Sequence, residues 1–198
     1  MAQTSTTLAT TSGHKANITG TDIAFNEVSG VYKITSTSTA LTNIDARDII
    51  TVTGTTNNNK TFTVKSRESA NELRVEEAVV DESADGSTTY TLDYTGFVTD
   101  KVKGDGYYSQ GDGTHTVAFY VDASLNDDAN IKLCMQGSLA TTPAESDWFD
   151  ISGTTINQTH IDGSTLVFSN NFTGNFVWVR AKVSGMSAGS ITKILYNN

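Results

Sequence analysis

A chain of 198 residues and 21.2 kDa holds one large β domain or two small ones. Its formal charge of −9, with 13 Lys and Arg among 22 Asp and Glu, leaves no cationic stripe able to displace counterions from phosphates. Nucleic acid is therefore not an expected partner, and the acidic balance reads as solubility and mutual repulsion of free copies.

Residues 1–20 are small and polar with almost nothing to bury, so they are expected to form a flexible arm. From there to residue 98, "GVYKITSTST", "DIITVTG", "KTFTVKS", "ELRVEEAVV" and "TTYTLDYTG" read as short strands separated by turn chemistry. "TTNNNK" is a hairpin loop, with Asn tolerating left-handed backbone, and "DESADGS" is a second turn. "TDIAFNEV" is the one candidate for a helical turn, since no long 3.6-residue period occurs anywhere. A composition shift at "VTDKVKGDGYYSQGDGTHT", with two Gly-Asp-Gly triplets, marks a loop or linker and places a boundary near Thr99. Strands then resume with "HTVAFYVDAS", "NIKLCMQGSL", "SDWFDISG", "STLVFSNN", "NFVWVRAKVSG" and "GSITKILYNN". Their spacing is that of a β-sandwich. The expected fold is all-β: a small barrel- or sandwich-like domain over 21–98, then an antiparallel β-sandwich over 99–198.

Composition and motifs exclude several chemistries. No basic n-region or apolar h-region opens the chain and no run has the length of a membrane span, so a soluble protein made in a cytoplasm is expected, with no membrane partner. The single Cys134 lies in an apolar strand and reads as an inert buried thiol. His14, His115 and His160 have no His or Cys neighbour at i+2 or i+4, so no zinc site is expected. The Gly-Asp-Gly triplets carry oxygen ligands for Ca²⁺, yet turn formation accounts for them more simply. Adjacent acids in "SLNDDANI" do not make a glycosidase pair, whose spacing is spatial. No phosphate-cradling glycine loop and no Gly-x-Ser-x-Gly elbow occur. No catalytic residue, metal ligand or cofactor is expected.

The aromatics carry more. In "NFVWVRAKVSG", Val177, Val179, Ala181 and Val183 alternate onto one face as a core row. The other face takes Phe176, Trp178, Arg180 and Lys182, a row of large rings and cations that suits a subunit contact. Trp148, in "DWFDI", is a further candidate for that contact.

Two stretches carry a resemblance. "DIITVTGTTNNNKTFTVKS…LRVEEAVVDE", residues 48–82, resembles a small β module of virion proteins of tailed bacteriophages. "IKLCMQGSLATTPAESDWFDISG", residues 131–153, with "NFTGNFVWVRAKVSGMSAGSITKILYNN", looks like the β-sandwich of phage head-decoration, neck and tail-appendage proteins of the marine and cyanophage type. The resemblance implies a structural virion role without catalytic residues. Other virion proteins (capsid, portal or neck, tail) are then the implied partners, a homo-oligomer or symmetric multi-copy arrangement the implied state, and the virion the implied location. A receptor-binding tail module for host surface glycan is the alternative, with Trp148 or Trp178 as the sugar platform.

Overall fold

The structure, a computed structural model, describes residues 5–111, 113–127, 130–157 and 166–198. Strands account for 52% and helix for 6%, so the chain is all-β as expected, with large antiparallel sheets. Two compact units form: residues 15–97, and residues 98–198 together with 1–14. His160 and Asp112 lie outside the described residues.

The opening residues do not stand apart as an arm. β1 (Ser5–Ala9) and β2 (Ser12–Gly13) pair antiparallel with residues 190–197 at the other end of the chain, Ser5 opposite Asn197. Their side chains are exposed or half-buried, so backbone hydrogen bonds rather than an apolar face hold them. A strand with no buried face leaves no alternating pattern in the sequence, which is why composition alone reads as arm.

Residues 15–97 form a sheet in the order β3 (Ile18–Gly20), β9 (Tyr90–Val98), β6 (Asp48–Thr53), β7 (Thr61–Ser69), β8 (Glu72–Val75), β5 (Val31–Ser36) and β4 (Ile23–Val28). Every one of these strands contributes to a single apolar cluster, from Ile18 through Phe25, Ile34, Ile50, Phe62 and Leu73 to Leu92, so the sheet curls around one core. β7 makes the bend: its first residues pair with β6, and beyond Val64 it pairs with β8 through two register shifts.

"TDIAFNEV" is strand, not a helical turn. Ile23 and Phe25 are fully buried while Ala24 and Asn26 between them are not, a two-residue period that overrides the helical reading. Ser29 and Gly30, both at positive φ, turn β4 into β5. The free edge of β4 is covered by a bridge between Phe25 and Glu82. Glu82 also clasps the Asn-rich loop, accepting hydrogen bonds from Thr56 N at 2.7 Å, Asn57 N at 3.0 Å and the buried Asn58 side chain at 2.9 Å. Burial opposes its ionisation, but these donors outweigh it and hold the carboxyl below the usual range. "TTNNNK" and "VVDE" are thus two halves of one hydrogen-bonded structure. Strand β8 ends at Val75, and Glu77 beyond it caps Thr63 N at 2.6 Å.

In the second unit, β17 (Ser190–Asn197) lies between β1 and β11 (Thr114–Val121), and β15 (Val167–Thr173) follows on β11. Facing strands are β12 (Lys132–Ser138), flanked by β13 (Phe149–Asp150) and β14 (Ile156–Asn157), and β16 (Trp178–Ser184), which β10 (Val102–Lys103) extends. Val117, Phe119, Ile191 and Ile194 of the first sheet and Leu133, Met135, Val179, Ala181 and Val183 of the second are all essentially buried, giving a sandwich core.

Residues 98–111 are built into this unit rather than linking to it. Thr99 is buried, donating its N–H to Ala181 O at 2.9 Å and accepting from Ala181 N at 3.0 Å. Gly104 and Gly106 are needed because a Cβ at either would strike the backbone at 175–176. Asp105 between them points inward and accepts from Gly113 N at 2.7 Å, a structural role.

Two outcomes test this architecture. Deleting residues 1–9 strips β17 of its neighbour and is expected to lower the Tm of the C-terminal unit by about 4 °C or more in calorimetry; a free arm would leave it unmoved. Asp22 accepts hydrogen bonds from Thr39 and Ser36 and from the backbone of Thr37, Ser38 and Thr39, which holds its carboxyl well below the ordinary carboxylate range. A lowered folded-state value means that its contribution is complete above the unfolded value and drains as pH falls below it. Asp22→Asn should therefore flatten the acid limb of the N-terminal unit's pH–stability curve below about pH 4.

Candidate interaction face

The alternation of β16 from Trp178 onward puts Trp178, Arg180 and Lys182 on one face and Val179, Ala181 and Val183 on the other. Cross-strand partners share that first face: Ser138 and Lys103 beside Trp178, Gln136 beside Arg180, Cys134 beside Lys182. Of the six Lys and Arg in residues 98–198, five (Lys101, Lys103, Lys132, Arg180 and Lys182) belong to this face, and only Lys193 lies on the other sheet. A unit that is acidic in sum therefore gathers its cations on one side.

The cations fall into two groups. Arg180 is 5% exposed and fully engaged inside the chain. Its Nε donates to Gln136 Oε1 at 2.9 Å, Nη1 to Glu145 Oε2 at 2.9 Å and Nη2 to Glu145 Oε1, a bidentate pair. The guanidinium also stacks on Trp148, 4.2 Å from the ring centroid. Gln136 passes the network to Asp150 at 2.9 Å, and Lys132 donates to the other oxygen of Asp150 at 2.6 Å. Burial opposes ionisation of Asp150, but those two donors outweigh it and hold its carboxyl below the usual range. The same carboxylate raises Lys132 above the ordinary lysine value through their hydrogen bond.

The second group is exposed. Lys101 sits 4.5 Å over the Trp178 ring, and Lys103 sits 4.1 Å over Tyr107 and 5.5 Å over Tyr108. Tyr107 meets Trp178 edge-on at 5.0 Å and Tyr108 edge-on at 5.3 Å. Trp178 is fixed further by its Nε1–H, which donates to Thr141 O at 3.0 Å. Tyr107 and Tyr108 remain 43% and 54% exposed. Rings and ammonium groups brace one another here.

Of the five residues read from sequence as subunit contacts, the structure brings Trp178, Arg180, Lys182 and Trp148 to this face and sets Phe176 apart. Phe176 lies before β16, beyond a bend at Val177, so the strand alternation does not reach it. Its ring fills the space left by Gly137, where a Cβ would come within 2.6 Å of Cδ1, and by Gly174, at positive φ. It packs against His115 and Phe172 as core. Arg180, read as a subunit contact, is instead paired within the chain, with Glu145. Lys182 and Trp148 are half-buried. Missed by the sequence reading were Lys101, Lys103, Tyr107 and Tyr108, hidden in a stretch that reads as linker. Their signal was the spacing Lys-x-Lys-x-x-x-Tyr-Tyr, which matches no strand or helix period.

The remaining ionisable groups are structural. His115 is fully buried beneath Phe172 and Tyr196. Its Nε2 lies 3.2 Å from Gly174 O and 3.4 Å from Asp105 Oδ2, and its Nδ1 shares a hydrogen bond of 2.7 Å with the Tyr196 hydroxyl. Burial, then the charge of Asp105, pushes the Tyr196 phenol up. The Cys134 thiol is pushed up to about 12, by burial above all. No three His, Cys, Asp or Glu side chains converge on a metal position among the described residues.

Removing the counter-charge of a buried cation costs more than removing the cation. Glu145→Ala is therefore expected to lose about 3 kcal/mol of stability in urea unfolding. Arg180→Met, which leaves Glu145 free to hydrate, should lose about 1 kcal/mol. Cys134 should resist a thiol reagent at pH 8 in the folded chain and react at once in denaturant. No protein-family model and no curated protein matches the chain.

Proposed function

We propose that this chain is a structural protein of a phage particle, a capsid decoration or neck/tail accessory protein that stabilises the assembly through protein–protein contacts and makes or breaks no bond. The observation that carries the proposal is the braced aromatic–lysine face of residues 101–108 and 178. Exposed Tyr rings held by neighbours lose little side-chain freedom on docking, which is what a repeated contact of moderate area requires. Repetition around a symmetric particle then multiplies weak contacts into a stable attachment. The residues 48–82 and 131–153 that carry the likeness to virion modules are, in this fold, a hydrogen-bonded loop pair and the Arg180-supporting strand with its flanking turn. Both are devices for rigidity.

A receptor-binding module for host glycan draws on the same exposed tyrosines. The face suits it less well, because Lys101 and Lys103 already lie over rings that a sugar would stack on.

Quantitative mass spectrometry of purified particles, with electron microscopy of particles carrying a tagged chain, tests the reading. The expected result is a copy number that is a multiple of the symmetry of a ring or shell, with label at those positions. Absence of the chain from purified particles would overturn it.

A further inference from the structure

The five cations of the sheet face differ in what they have left to offer. Lys132 is paired with Asp150, and Arg180 with Glu145 and Gln136. Lys101 and Lys103 are held over indole and phenol rings, which attract an ammonium through the ring quadrupole but accept none of its hydrogen bonds in the way a carboxylate does. Each ammonium keeps N–H donors for an incoming acceptor and, already positioned, loses little entropy in meeting it. Beside them Tyr107 and Tyr108 expose apolar ring surface and hydroxyls, and Lys182 lies further along the same face of β16. The result is a compact cationic and aromatic patch on a chain of net charge −9.

The patch discriminates among anions. A nucleic acid strand or a sugar chain needs a free ring face to stack on. Here the Trp178 and Tyr107 rings each carry an ammonium and meet each other edge-on. A long, densely charged polyanion also meets repulsion from the rest of an acidic molecule, whereas a short carboxylate-bearing segment reaches the patch alone. A second copy brings another −9 and the same long-range repulsion.

We propose that Lys101, Lys103, Tyr107, Tyr108 and Trp178 form a docking patch for an acidic segment of a different protein, with its carboxylates on the lysines and its aliphatic side chains on the tyrosines. The proposal rests on the assembly reading above and specifies the chemistry of the partner.

The test uses the full chain and a fluorescein-labelled peptide of alternating Glu and Leu, followed by anisotropy at low and at physiological salt. The peptide is expected to bind, to weaken as salt rises, and to lose about tenfold or more in affinity with K101E/K103E. K193E on the opposite sheet should leave binding unchanged, and Y108A should weaken it with a smaller change in salt dependence. An unchanged melting temperature in K101E/K103E separates lost contact from lost fold. Equal binding by K101E/K103E, no binding at low salt, or tighter binding of oligothymidylate or dextran sulfate than of the peptide would each overturn the proposal. So would self-association of the chain in sedimentation velocity that K101E/K103E abolishes, since the patch would then serve a second copy. Peptide binding by a chain missing from purified particles would sink the assembly reading while leaving the docking chemistry standing.

Discussion

Burying one guanidinium sets most of the C-terminal sheet. Arg180 has five N–H donors that cannot be deprotonated, and at 5% exposure water supplies few of their partners. The chain must therefore bring Glu145, Gln136 and the Trp148 ring to it. Glu145 sits in a short 3₁₀ turn, Glu145–Asp147, which is followed at once by Trp148 and β13. That turn places carboxylate, ring and the Asp150 end of the network within six consecutive residues, Glu145 to Asp150. The exposed part of the face is a consequence. With the inner cation locked, Trp178 two residues earlier is held in position, and the lysine–tyrosine stack is built outward from its ring.

The N-terminal unit solves its own problem differently. It has a well-defined apolar core, and its loops are long and polar, so carboxylates at Asp22 and Glu82 are used as internal anions that collect backbone N–H groups. Each does for a loop what a cap does for a helix end: it gives otherwise unpaired donors a charged acceptor. This explains why a chain so rich in Thr, Ser and Asn holds defined loops instead of fraying.

The strand content was legible because burial leaves a two-residue rhythm in runs such as "HTVAFYVDAS" and "NFVWVRAKVSG". Where a segment is held by backbone hydrogen bonds with its side chains in solvent, as β1 is, there is no rhythm to read. Where a strand begins later than its pattern suggests, beyond a bend, the aromatic ahead of it need not follow the alternation, which is how Phe176 reads as contact and packs as core. Arg180 reads in the sequence as a subunit contact, but which carboxylate it meets depends on a turn 35 residues earlier that carries no signature of its own. The Lys101–Tyr108 patch escaped for a similar reason: Gly-Asp-Gly signals a turn, and the sequence does not say that Phe176 sits against that turn's backbone.

The pairing of β1 with β17 fixes an order of events as well as a shape. Residues 15–97 combine hairpins such as β4–β5 with longer pairings that stay within the unit, Ile18 with Leu92 the widest, whereas the first sheet of the other unit must join Ser5 to Asn197 across nearly the whole polypeptide. Loop-closure entropy and contact order both make that junction the slow step. Until that junction closes, β17 shows an unzipped margin to whatever strand arrives.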